Sequence, residues 1–264
     1  VVAQDRSLPT TRGRSTDAFA ALEKRRMVRI LVPYGRPLYY YDGATPRGTM
    51  AQAAQELETE LNRRFKAKRP FVVAVYPTTR DRLLPALVDG EGAIGGGNIT
   101  VTPERSARVA FTNPTMTNIA EIIVTGPEAP PLRTIDDLAG QEVHVRPSTS
   151  YYQSLSALNE RFRREGKPPM VLRLLPDAIE DEDKLDMVDA GLIRISVVDD
   201  WIGRVWEPTL EHARLRPDLV VRQGGEVAWA VRKNNPQLLA ILNEALARAR
   251  KRSVPEVIVG RAGV

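Results

Sequence analysis

Cysteine is absent from the 264 residues, and histidine occurs only twice, at His144 and His212. Without cysteine there is no disulfide, no thiolate nucleophile and no cysteine-ligated metal, and two histidines far apart in sequence do not suggest a zinc site. No cofactor is expected. Long apolar runs are missing too, so no stretch has the length that crosses a bilayer. Excess charge of one sign is small: 38 Lys and Arg stand against 33 Asp and Glu, a net +5, and the two signs interleave on helical faces. Interleaving of this kind reads first as solvated surface. An anionic partner such as peptidoglycan or a phospholipid head group suits the balance and leaves peripheral membrane association open. Nucleic acid is not expected, because no reading module is present. No N-terminal cysteine is there to carry a lipid, although the small residues of Val1 to Gln4 fit the remnant of a signal region.

Hydrophobic content of 42% and charged content of 27% are those of a globular chain, and the length suffices for two lobes with cores of their own. The most informative stretch runs from Leu84 to Pro114, LPALVDGEGAIGGGNITVTPERSARVAFTNP. It predicts a helix end, a turn, and a short strand entering a Gly95-Gly96-Gly97-Asn98 loop. Thr100, Thr102 and Arg105 follow, ahead of an apolar run at Val109 to Phe111. Glycines let backbone amides approach a guest closely. Arg105 follows a Thr-Pro-Glu helix start, so its guanidinium could face the loop and grip a carboxylate with both arms. The plain alternative is a strand, a glycine turn and a helix, with Arg105 in a surface ion pair.

The rest of the chain reads as alternating strands and helices. Val1 to Thr16 predicts a mobile arm and Asp17 to Arg26 a short helix. Val28 to Val32 is a strand broken by Pro33-Tyr34-Gly35-Arg36-Pro37, where Tyr34, Arg36 and Tyr39 are candidates either for lining a cleft or for hairpin packing. Met50, Ala54, Leu57, Leu61 and Phe65 repeat at helical spacing. Strands follow at Val72 to Tyr76 and around Gly92 to Ile94, with a helix from Arg80 to Leu87 between them. This succession argues an α/β lobe whose ligands lie beyond the carboxyl ends of its strands. A second such series begins at about Thr115 to Ala120. It includes a capped turn at Thr134 to Leu138, a strand at Glu142 to Val145, and a helix bearing Tyr151, Leu155, Leu158 and Phe162. Arg146-Pro147-Ser148-Thr149-Ser150 leads into that helix, where hydroxyls cap free amides and the dipole favours an anion. Glu180 to Val188 predicts a helix with a solvated acidic start. The strand Ile195 to Val198 ends in Asp199-Asp200; one carboxylate is placed to hold an ammonium group and the other to cap the next helix. Two further strands, Leu219 to Val221 and Glu226 to Val231, flank a Gln223-Gly224-Gly225 turn, and Pro236 opens a last helix. Val254 to Val264 shows no pattern.

Gly97-Asn98-Ile99-Thr100-Val101-Thr102-Pro103-Glu104-Arg105, followed by Val109-Ala110-Phe111-Thr112, resembles the signature of type II periplasmic solute-binding domains. Among these it is most similar to the N-terminal regulatory domain of membrane-bound lytic murein transglycosylases F. The likeness runs from about Val28 to Arg250, through Tyr39 to Gly43, Arg146 to Tyr152, Asp189 to Ile193, Val197 to Asp200 and Gly224 to Ala230. It implies a two-lobed α/β fold of the type II periplasmic-binding-protein kind, each lobe a mixed, largely parallel sheet flanked by helices, with two hinge crossovers. On this chain that gives an N-terminal arm at 1–27, a first lobe at 28–117 plus 225–264, and a second at 118–224. The resemblance also implies a periplasmic location and ligand contacts at Tyr34 and Arg36, at Asn98, Thr100 and Arg105, and at Arg146, Thr149, Ser150, Tyr151 and Asp199. In it Arg105 takes the carboxylate of a small zwitterion or peptide, Asp199 takes the amine, and Asp200 is left as the cap. Two departures count against common free amino acids: Thr115 stands where an aromatic is usual, and Asn98 where glycine is.

Three functions compete on this reading. The first is a sensor for peptidoglycan-derived muropeptides, with a C-terminal catalytic domain beyond this chain. The second is a solute-binding protein that delivers amino acids or other small polar solutes to a transporter permease. The third is an enzyme on the same fold, which needs an acid or base poised in the cleft. His144 falls within a strand, so no catalytic residue is assigned.

Overall fold

The computed structural model describes Arg14 and residues 18–252. Apart from Arg14, the arm expected over residues 1–16 lies outside the described residues, as does the unpatterned tail from Val254.

The first lobe starts with α1 (Phe19–Arg25) and β1 (Met27–Pro33), followed by a small hairpin of β2 (Tyr40–Asp42) and β3 (Thr45–Arg47). It continues with α2 (Thr49–Arg64), β4 (Val72–Thr78), α3 (Arg80–Val88), β5 (Ile94–Thr100), the short α4 (Pro103–Ser106) and β6 (Ala110–Phe111). β7 (Met116–Thr125) then crosses into the second lobe, built from β8 (Glu142–Val145), α5 (Ser150–Arg164), β9 (Val171–Leu174), α6 (Asp181–Asp189), β10 (Ile195–Asp199) and α7 (Asp200–Trp206). β11 (Arg214–Val231) returns to the first lobe, where α8 (Pro236–Arg252) closes the described chain.

The main sheet has the order β10-β7-β11-β5-β1-β4, with β6 also on β11. β4 and β5 flank β1 in parallel, while β7 and β11 pair antiparallel with each other and carry the sheet from lobe to lobe. β8 and β9 form a separate parallel pair in the second lobe. The apolar clusters follow this division. One lobe draws its core from between Phe19 and Val109 together with Trp229 to Leu242, the other from between Ala120 and Leu219. The helical spacing of Met50, Ala54, Leu57 and Leu61 has a simple physical basis: all four side chains are buried against the first-lobe sheet.

Three expectations change. Gly95 to Asn98 is not a loop cradling an anion; it lies inside β5, and Gly96 and Gly97 serve close packing. A Cβ on Gly97 would stand 2.6 Å from Pro33 Cδ, and one on Gly96 would collide with Met50. The two strands expected around Gln223 to Gly225 are one, β11, because the crossing strand keeps its partner while it bends. Its pairing with β7 shifts register repeatedly between Arg216 and Val227, and Gly224 takes a φ of 70°. Finally, the segment just before β1 does not belong to a detached arm. Phe19 of α1 is fully buried beside Phe65 and Phe71, so this helix is part of the first-lobe core.

Candidate ligand-binding cleft

Strand ends and helix starts from the two lobes meet around a cleft of about 930 Å³, counting its open mouth. The first lobe contributes the loop after β1 through Arg36, the start of α3 through Arg80, the end of β5 through Asn98 and Thr100, and Arg105 from α4. The second contributes Arg146, the start of α5 from Thr149 to Tyr151, the acidic residues Glu180, Asp181 and Glu182, Asp199 at the end of β10, and an apolar side of α7. These are carboxyl ends of strands and amino ends of helices, where an α/β fold concentrates free backbone donors.

Arg105 owes its position to local capping. Thr102 is the N-cap of α4, its hydroxyl accepting the Arg105 amide at 3.2 Å, and the short helix turns the side chain back toward β5. There Nη1 donates to the Thr100 carbonyl at 2.8 Å and Nη2 reaches across the lobes to the Ser148 carbonyl at 3.0 Å. No carboxylate lies within ion-pair distance of it among the described residues. Burial first, and neighbouring Arg80 second, bring its pKa down to about 10, so the group is still a cation at neutral pH.

Asp199 is its counterpart on the other wall. It is 5% exposed, and its Oδ1 has no hydrogen-bond partner among the described residues. Burial pushes its pKa well above the usual carboxylate range, and Asp181 and Glu121 push it further, against a smaller opposing pull from Lys184. Tyr151 holds the strand end in place: its hydroxyl accepts the Asp199 amide at 2.9 Å and donates to Asp181 Oδ2 at 2.9 Å. Asp200 caps locally, accepting the Trp201 amide at 2.8 Å, while the Asp199 side chain makes no capping bond.

The acidic start of α6 is not solvated as expected. The Asp181 carboxylate is mostly buried, within 3.0 Å of Lys184 Nζ and 3.4 Å of Arg146 Nη2. Burial alone would raise its pKa, but Lys184 and Arg146 bring it down to about 2. Lys184 is fully buried, lies over the Tyr151 ring at 4.5 Å and donates to the Val197 carbonyl. Glu180 reaches across the cleft to Arg80, Oε1 to Nε at 3.3 Å, and stands 3.6 Å from Arg146. Arg80 also donates to the Gly97 carbonyl at 3.2 Å. Local sequence could not show this, because an acidic first turn has the same pattern whether it meets water or a facing lobe.

Of the ten residues named from the sequence, Arg36, Asn98, Thr100, Arg105, Arg146, Thr149, Ser150, Tyr151 and Asp199 line this one cleft. Tyr34 does not. It is 55% exposed and faces a separate surface groove beside Asp177 and Thr79, since the turn closed by the Gly35 and Tyr39 backbone pair directs it away. Several cleft hydroxyls already have structural duties. Thr149 Oγ1 donates to the Arg146 carbonyl and accepts the Tyr152 amide, and Ser150 donates to the buried carboxylate of Glu121 on β7. Sequence reasoning missed Arg80, Glu180, Glu182 and Trp201. The Trp201 indole Nε1 is buried without a hydrogen-bond partner among the described residues. His144 sits on β8 and does not line the cleft; burial lowers its pKa. Among the described residues no cluster suited to a metal ion is present, and no helix is long and apolar enough to cross a membrane.

The fold and cleft define a two-lobed α/β protein of the solute-binding kind. The family model for bacterial extracellular solute-binding proteins, family 3, matches residues 28–257, and the chain belongs to that family. The chain is 24% identical over 234 residues to a membrane-bound lytic murein transglycosylase F of Desulfosudis oleivorans, a match covering 87% of this chain and 47% of that protein. A second protein of that name, from Saccharophagus degradans, is 28% identical over 142 residues, 53% of this chain and 26% of its own length. The chain thus spans less than half the length of the curated relatives it matches. Among solved structures, an amino acid ABC transporter substrate-binding protein of Streptococcus pneumoniae bound to L-arginine superposes with a TM-score of 0.73 at 15% identity, covering 91% of this chain and 95% of that one. At such identity the likeness shows the fold.

Proposed function

We propose that this cleft closes on a small zwitterion or a peptidoglycan-derived peptide, and that the chain is the sensor domain of a lytic transglycosylase F-like periplasmic protein. The observation that carries the reading is a pair of groups in one cleft with no ion-pair partner among the described residues, half-buried Arg105 from the first lobe and buried Asp199 from the second. Each is costly to desolvate alone, and a guest bearing both an ammonium and a carboxylate compensates both as the lobes shut. The carboxylate would lie between Arg105 and the amino end of α5, where the helix dipole adds to the attraction, and the ammonium would meet Asp199 Oδ1. Closure would be reinforced by the contacts that already span the lobes, Arg80 with Glu180 and Arg105 with the Ser148 carbonyl. The transglycosylase names of the sequence relatives support the sensor role. Cleavage of glycan would belong to a catalytic domain outside this chain.

A second reading, delivery of an amino acid to a transporter permease, is favoured by the solved structures of similar fold, several of which are amino-acid-binding proteins. Calorimetric titration with a panel of muropeptides and free amino acids separates the two. Tight binding of a muropeptide with weak binding of amino acids is expected. Tight binding of a free amino acid with no response to muropeptides would refute the sensor reading.

A further inference from the structure

A second inter-lobe groove, of about 1150 Å³ counting its open mouth, adjoins the cleft and shares Arg80 and Arg105 with it. Its first-lobe wall comes from α3, α4 and the residues just after α4, through Asp81, Glu104 and Arg108. Its second-lobe wall is a strip of α5 formed by Tyr152, Gln153 and Ser156, beside the face that buries Tyr151, Leu155 and Phe162. In the cleft many polar side chains already engage one another, as Arg80 does Glu180 and Ser150 does Glu121. Here they do not. Asp81, Tyr152, Gln153 and Ser156 are half-buried, and among the described residues none of their side chains makes a hydrogen bond or an ion pair. Tyr152 also packs on the second-lobe core, which holds its ring in place at the groove wall.

The walls narrow the class of occupant. Arg105 and Arg108 are matched in number by Asp81 and Glu104, and Arg80 is paired with Glu180, so neither an anion nor a cation is favoured. Leu83, Leu84 and Ile99, which reach the groove, are themselves buried, leaving little apolar surface for a lipid chain. An aromatic ring held beside carboxylate, carboxamide and hydroxyl groups suits a neutral guest that has flat apolar faces edged by hydroxyls and amides. We propose that this groove is a saccharide site, taking the N-acetylated disaccharide of a peptidoglycan fragment whose peptide lies in the cleft. The inference rests on the peptidoglycan reading above. Asp81 and Tyr152 come from different lobes, so a sugar touching both binds best with the lobes apposed, as the Arg105 contact with the Ser148 carbonyl holds them here. Sugar and peptide then favour one arrangement, and each strengthens the binding of the other.

Calorimetry tests this with the tetrapeptide L-Ala-γ-D-Glu-meso-diaminopimelate-D-Ala, the same peptide carrying its N-acetylglucosaminyl-N-acetylmuramyl disaccharide, and the peptide extended at its first residue by two glycines instead. The disaccharide peptide is expected to bind about tenfold or more tightly than the bare peptide. That ratio is expected to collapse toward one in Tyr152→Leu, which keeps an apolar side chain on the core, and in Gln153→Ala combined with Ser156→Ala on the half-buried strip. Equal affinity of the two ligands for the parent protein leaves the sensor reading standing and overturns this inference, as does a gain that survives in both variants. If the glycine extension gains as much as the disaccharide and loses it in the same variants, the groove takes peptide and the saccharide assignment falls. Binding by none of the three removes both readings.

Discussion

Replacing Asp199 by Asn removes a charge at constant shape, and the structure predicts opposite effects on stability and binding. In the ligand-free protein the carboxylate is 5% exposed, lacks a partner at Oδ1 and faces Asp181 and Glu121. Its pKa is therefore higher in the folded protein than in the unfolded chain. For an acid shifted in this direction the folded state holds the proton over a pH range where the unfolded state has lost it. Stability consequently falls as pH rises from the unfolded value of roughly 4 toward the folded one, by at most about 1.4 kcal/mol per pH unit. The carboxamide of the Asp199→Asn variant cannot ionise and escapes that loss. Urea denaturation of both proteins without ligand, at intervals from pH 4 to 8, should show the variant gaining on the parent as pH rises. Binding should move the other way, since removing one member of a buried charge pair costs about 2 kcal/mol or more, roughly thirtyfold in affinity. A stability difference independent of pH, or an affinity for zwitterions left intact, would refute the assignment of Asp199 as a buried carboxyl group that ionises to meet the ammonium of a ligand.

Glu182→Gln should likewise stabilise the ligand-free protein relative to the parent as pH rises toward 7, because a folded pKa of about 7 is also raised above the unfolded value. Denaturation midpoints at pH 5 and pH 8 check this, with Asp183, Glu180, Asp181 and Asp186 on its own segment as the neighbouring charges; an equal shift at both values would count against it. Arg80→Gln removes the side chain that pairs with Glu180 across the lobes, so small-angle scattering should report a larger radius of gyration than the parent's. An unchanged radius would show that this pair does not hold the lobes together. Gly97→Ala combines a φ of 103° with a Cβ 2.6 Å from the rigid Pro33 ring, and should lower stability by about 2 kcal/mol or more. Thermal unfolding measures it, and a loss under about 0.5 kcal/mol would mean that β5 shifts to accept the methyl group.

Much of the architecture is written locally. The burial of Met50, Ala54, Leu57 and Leu61 follows from their spacing, and the alternation of strands and helices follows from apolar runs punctuated by Pro and Gly. The placement of Arg105 at the cleft was legible too, beside a helix-start signal, and so was that of a carboxylate at the end of an apolar strand, although the choice of Asp199 over Asp200 came from the family resemblance; the ends of elements are where a fold of this class presents its chemistry. What the tertiary structure alone decided is which charge meets which. Glu180, Asp181 and Glu182 form an acidic helix start indistinguishable in sequence from a solvated one, yet the apposed lobes set Glu180 against Arg80 and leave Glu182 without an ion-pair partner among the described residues. The same holds for Gly96 and Gly97, whose lack of side chains reads as a turn until Met50 and Pro33 are seen to occupy the space, and for Tyr34, which the backbone turn directs away from the cleft. Periodicity and capping depend on neighbours a few residues away, whereas ion pairing and packing depend on residues as far apart as Arg80 and Glu180, which only the apposition of the two lobes brings together.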